Sequence, residues 1–155
     1  MSNREIFNTT KVENCVLAQT LTTTTNGSSV DMSDANAVTF IVNMGDSADT
    51  LSGSVLWTIT LEESSDDSIF TTVTDAESLL IAIDGTKQAL ATSIVVDAPA
   101  EDSKVFEIAY KVPSSSQYLR PVITATGTHS NGTPMSVIAV KGVLKVSPES
   151  GKADA

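Results

Sequence analysis

The sequence predicts an all-β chain, an antiparallel β-sandwich or jelly-roll-like fold of about eight strands with little helix. Three observations predict it. Apolar and polar residues alternate with period two, most clearly in Val55-Leu-Trp-Thr-Ile-Thr-Leu-Glu62. Turn-forming pairs punctuate the chain at Asn26-Gly27, Asp84-Gly85 and Asn131-Gly132. The composition leans to Thr, Ser and Val, and no long segment has the 3.6-residue period of an amphipathic helix.

The elements follow in chain order. Val16 to Thr23 alternates and closes at Asn26-Gly27. Val38-Thr-Phe-Ile-Val-Asn-Met44 is more apolar, as a strand covered on both faces would be, and stops at Gly45. Val55 to Glu62 points Val55, Trp57, Ile59 and Leu61 inward. The polar turn Glu62-Glu-Ser-Ser-Asp-Asp-Ser68 then leads into Ile69-Phe-Thr-Thr-Val73, a hairpin. Ser78 to Asp84 and Ser93 to Asp97 read as strands, with a helical turn or loop over Thr86 to Thr92. Val105 to Val112 points Phe106, Ile108, Tyr110 and Val112 inward, and Pro113 breaks it. Tyr118 to Thr126 and Met135 to Val146 form the last pair. Pro121 implies an edge or a bulge, and Gly142 a bulge or bend.

At 155 residues one domain is expected. Its division is an N-terminal arm over 1–14, a β-sandwich over 15–146 and a C-terminal tail over 147–155. No apolar run reaches the roughly 20 residues of a membrane-spanning helix. The segment Met1 to Cys15 lacks the apolar centre of a secretory signal, so synthesis in a bacterial cytoplasm is expected. The single Cys15 allows no intrachain disulfide.

The net charge of −10 is unevenly spread. Asp46 to Asp102 holds twelve acids and one base, Lys87; Ser103 to Ala155 holds six bases and three acids. A nucleic-acid binder would show a dominant basic patch, so that class is excluded. The pattern fits an acidic solvent face and a less acidic part that meets a partner.

Little in the chain suggests chemistry. His129 is the only histidine, with hydroxyl residues on either side whose side chains point away from it in extended chain, and no acid lies between Glu107 and Glu149. It reads as an exposed turn residue. The four carboxylates of Glu62 to Asp67 lack calcium-loop spacing, and one Cys with one His excludes a structural zinc site. No glycine-rich phosphate cradle is present. The expectation is no enzyme, no metal and no cofactor. A carbohydrate-binding module is the rival of another class, but aromatic residues are only 5%, which leaves Tyr118 and Phe70 as the spare rings.

Three segments carry a family resemblance. "VLWTITLEESSDDSIFTTV" resembles the strand, acidic turn and strand of small structural proteins from tailed bacteriophages and gene-transfer-agent-like prophages. "QYLRPVITATGTHSNGTPMSVIAVKG" is similar to the closing hairpin of that group, and "GSSVDMSDANAVTFIVNMG" fits its earlier loop and strand. The resemblance implies a virion-associated structural protein and does not say where in the particle it sits. The small size, the expected sandwich and the acidic, Ser/Thr-rich middle point to a capsid decoration or cement protein, bound as a trimer to the major capsid protein on the outer capsid surface, with no nucleic acid or membrane contact expected. A tail or head–tail connector component is the alternative. Expected interface residues are Ile6 and Phe7 as apolar anchors of the arm, Arg120 as a partner for an acid, and His129 at the turn.

Overall fold

The computed structural model describes residues 9–111 and 116–144, apart from the side chains of residues 111, 143 and 144. Twelve strands run β1 Lys11–Leu21, β2 Thr25–Asn26, β3 Val30–Asp31, β4 Ala35–Met44, β5 Leu56–Ser64, β6 Thr71–Thr72, β7 Leu79–Ile83, β8 Thr86–Lys87, β9 Ser93–Val96, β10 Val105–Lys111, β11 Tyr118–Thr126 and β12 Thr133–Leu144. They form two six-stranded antiparallel sheets. The first has the order β1-β12-β4-β10-β7-β8; the second is built on β2-β11-β5-β6, with β3 beside β11 and β9 beside β5. The expected sandwich is therefore observed. Its strand count is higher than eight because β2, β3, β6 and β8 are two residues each, too short to show a period.

Alternation builds the core. From β5, Trp57, Ile59 and Leu61 are fully buried, and they meet Phe40 and Val42 of β4 and Phe106 and Ile108 of β10 in the facing sheet. Removing a side chain such as Trp57 from this layer would cost about 3–5 kcal/mol, transfer and cavity together.

Several expectations need correction. The last two long strands are no hairpin: β11 pairs with β5 in the second sheet, whereas β12 lies between β1 and β4 in the first. The stretch Gly127–Gly132 is an arch between sheets. The arm boundary at Asn14 also moves, since Lys11 to Asn14 already pair with β12. Gly142 sits in regular register opposite Ala37. The bulges fall instead in β1, between Asn14 and Val16 and between Val16 and Gln19, where they disrupt an edge strand that would otherwise template pairing. Of the helical turn or loop expected over Thr86 to Thr92, the loop is observed, apart from the two-residue strand β8 at Thr86–Lys87.

Pro121 marks a gap rather than an outer edge. Its carbonyl accepts from the Gly27 N–H at 2.8 Å, and residue N and C=O share one side of a strand, so the missing donor faces the break between β2 and β3. A Cβ on Gly27 would come within 2.6 Å of the Pro121 ring, which fits glycine there.

Candidate functional site

Polar side chains close the core at both ends, and these clusters hold the residues with chemical potential. At one end three inter-sheet connections meet: residues 45–55, 97–104 and 127–132. The Asp49 carboxylate accepts from the Gly132 N–H at 2.7 Å, the Asn131 N–H at 3.1 Å and the Asn131 Nδ2 at 3.1 Å. Desolvation would raise this carboxyl, but the Gly132 and Asn131 donors outweigh it and hold it below its usual range. Ser47 donates its N–H to Asp102 at 3.0 Å, and its hydroxyl accepts from Thr133 Oγ1 at 2.9 Å. Thr133 in turn accepts from Trp57 Nε1 at 2.9 Å, which ties the central core residue to the corner.

His129 belongs to this corner. It is 3% exposed, so the expectation of an exposed turn histidine, and of one open to a partner, is corrected. Its ring lies 4.1 Å from the Trp57 ring at 34°. Nε2 contacts the carbonyls of Thr126 at 3.1 Å and Leu56 at 3.3 Å; carbonyls only accept, so Nε2 carries the proton. Nδ1 is buried without a hydrogen-bond partner among the described residues. No nucleophile is bonded to the ring, and the imidazole works as a bridge between β5 and the end of β11. His129→Ala is expected to lower stability by about 2–3 kcal/mol through the lost bond and stack, and to shift Trp57 emission to the red. Urea unfolding followed by that emission checks it; an exposed turn residue would give a change within about 0.5 kcal/mol.

At the opposite end Lys141 is 1% exposed inside the sandwich. Its Nζ donates to the Asp31 carbonyl at 2.9 Å and lies 2.7 Å from Asp34 Oδ1 and 3.0 Å from Glu13 Oε1. Three acceptors match the three donors of an ammonium group. Burial would lower its pKa, but the bonds to Asp34 and Glu13 prevail and raise it; Asp34 is held low in return, against its own desolvation. Nearby, Tyr110 Oη donates to Glu63 Oε2 at 2.8 Å and joins the two sheets, while burial and Glu63 push the phenol well above its usual range. In the sequence Lys141 stands out only as one of the six bases after Ser103. The signal was there: Met135, Val137, Ala139 and Lys141 share one face of β12 by strict alternation.

Arg120 pairs within the chain. Its Nε and Nη2 approach Glu62 Oε2 at 2.8 and 2.7 Å from the directly opposite position on β5, and the guanidinium lies 4.0 Å over the Phe70 ring. Phe70, one of the two spare rings, is thus engaged; Tyr118 is half-buried. Ile6 and Phe7 lie outside the described residues. In the acidic turn, Asp66 accepts from Ser64, Ser68 and Ile69, a self-bonded loop. Cys15 is buried, and desolvation first, then Glu13, push its thiol up to about 12, far from thiolate chemistry at neutral pH.

No protein-family model matches the chain, and no curated protein matches it. Among solved structures the chain is similar to the crystal structure of SPBc2 prophage-derived protein YomS, with TM-score 0.49 and 10% identity over 85% of this chain and 93% of that one. It is also similar to the structure of infectious bursal disease virus Gt strain, with TM-score 0.22 and 12% identity over 89% of this chain and 37% of that one. Both likenesses are weak. No helix among the described residues is long and apolar enough to cross a membrane.

Proposed function

We propose that this chain is a structural virion protein, a decoration or cement protein that binds the major capsid protein on the outer surface of a phage head. It acts without catalysis, as a homotrimer. The observation that carries the reading is the use of its reactive side chains. His129, Lys141, Asp49 and the Arg120–Glu62 pair all brace strands and arches of the chain's own fold. Such a body is a rigid block suited to clamping a lattice. Of the twelve acids between Asp46 and Asp102, seven are exposed, among them Asp46, Asp66, Asp67 and Asp97, which suits an exterior surface. The sequence resemblance to small phage structural proteins points the same way, most directly through the β5–β6 hairpin, with Glu62 opposite Thr72.

Mechanically, such a protein binds the mature shell and not its dispersed subunits, so it raises the free energy of disruption by mass action. Three linked copies would add effective concentration to each contact. Purified protein added to capsids stripped of it is expected to rebind and to raise their melting temperature. Failure to rebind, with the protein folded by circular dichroism, would remove the shell as its place.

A further inference from the structure

The sequence holds two Asn-Gly pairs, Asn26-Gly27 and Asn131-Gly132. Such a pair is chemically labile, because glycine has no side chain to shield its nitrogen from the neighbouring carboxamide. The two pairs are held in different ways. Gly27 donates its N–H to the Pro121 carbonyl at 2.8 Å, a main-chain bond to β11. Gly132 donates to Asp49 Oδ2 at 2.7 Å, and Asn131 Nδ2 donates to Asp49 Oδ1 at 3.1 Å. One carboxylate therefore grips both the nitrogen that would attack and the nitrogen that would leave. Asn131 is exposed, so water reaches it.

We propose that Asn131 is a latent deamidation site and that Asp49 keeps it latent. In the reaction the Gly132 nitrogen gives up its proton and bonds to Asn131 Cγ; the Cγ–Nδ2 bond breaks and ammonia leaves with that proton. Water then opens the cyclic imide at either carbonyl and leaves aspartate or isoaspartate. The sum is carboxamide plus water to carboxylate plus ammonium. Asp49 opposes the first step. Accepting from the Gly132 N–H stabilises the protonated nitrogen, and the negative charge disfavours an anion on it. Held below its ordinary 3.8, the carboxyl is too weak a base to take an amide proton itself. The Ala48 N–H, on the Gly132 carbonyl at 3.1 Å, fixes the glycine from its other side. Modification would strain the corner. Aspartate at 131 sets a second carboxylate against Asp49. Isoaspartate adds a methylene to an arch where a Cβ on Gly132 would already lie 2.6 Å from the Leu21 carbonyl oxygen. The lifetime of the corner is thus set by one side chain, independently of the virion role proposed above.

Peptide mass spectrometry on the full chain incubated at neutral pH tests it, with Asn26 as the internal control. In the folded wild type both sites should react more slowly than in urea, where they should react alike. Asp49→Asn keeps the shape and removes the charge. It should speed Asn131 about ten- to a hundredfold, the factor for a lost charge-assisted bond, and leave Asn26 unchanged. Asp49→Ala should act at least as strongly. An unchanged rate at Asn131 in both variants would overturn the proposal, and a slower one would make Asp49 the base of the reaction instead of its brake. Equal acceleration at Asn26 and Asn131 would overturn it too, since that traces to a general loosening of the fold.

Discussion

Gly127→Ala is expected to destabilise the protein by about 3–4 kcal/mol, combining a left-handed backbone with a blocked side-chain position. Gly127 has φ +78°, and a Cβ there would collide with the Ser54 carbonyl oxygen and sit 3.1 Å from the Val55 Cα. These are backbone atoms of the facing arch, so relief requires the two arches to part. Parting them pulls on the same corner that holds His129 and Asp49. Gly85 supplies the control. Its φ is +77°, but nothing lies within 4 Å of the missing Cβ. Gly85→Ala should therefore cost only the conformational preference, about 1–2 kcal/mol. Urea denaturation of both variants checks the difference. Equal losses would mean that the close approach of the arches contributes nothing.

Lys141→Met is expected to cost about 2–3 kcal/mol at neutral pH. Breaking a fully buried pair costs about 3–5 kcal/mol, and the discount reflects partners that can rehydrate; the Glu13 and Asp34 side chains are 30% and 41% exposed. The pH dependence follows from the directions of the shifts. Asp34 is held below its ordinary 3.8, so its contribution is present above that value and is lost as pH falls through the lower folded pKa. Lys141 is held above its ordinary 10.5, so its contribution is complete below that value and is lost as pH rises through the higher folded pKa. The gap between wild type and Lys141→Met should thus be widest on the plateau between and narrow at either extreme. A gap that is constant down to strong acid would show that the lysine acts by packing its stem and not by its charge.

How much of this was legible in the sequence depends on the reach of each interaction. The alternation of β5 and β10 was readable because each buries one face, and it placed Trp57, Ile59, Phe106 and Ile108 correctly. The apolar run of β4 suggested a strand covered on both faces, but only Val38, Phe40, Val42 and Met44 are buried; on the other face Thr39 and Ile41 are half-buried and Asn43 is exposed. The last connection misled because Gly127, Asn131, Gly132 and Pro134 suit a hairpin and an inter-sheet arch equally; only the partners of β11 and β12 decide. His129 could not be placed locally, since the Leu56 carbonyl that it meets is 73 residues away. Lys141 was readable by period and was overlooked by residue type. Asp49, the acid that organises the corner, carried no local signal, because its donors come from residues 131 and 132.

The central claim is that a body braced by its own polar residues serves as a shell component. The copy number of this chain per purified particle tests it most directly, measured by quantitative mass spectrometry against the major capsid protein. The account predicts a ratio near one to one. A ratio of a few percent would contradict it and move the protein to the neck or tail, and absence from particles would contradict the virion role altogether.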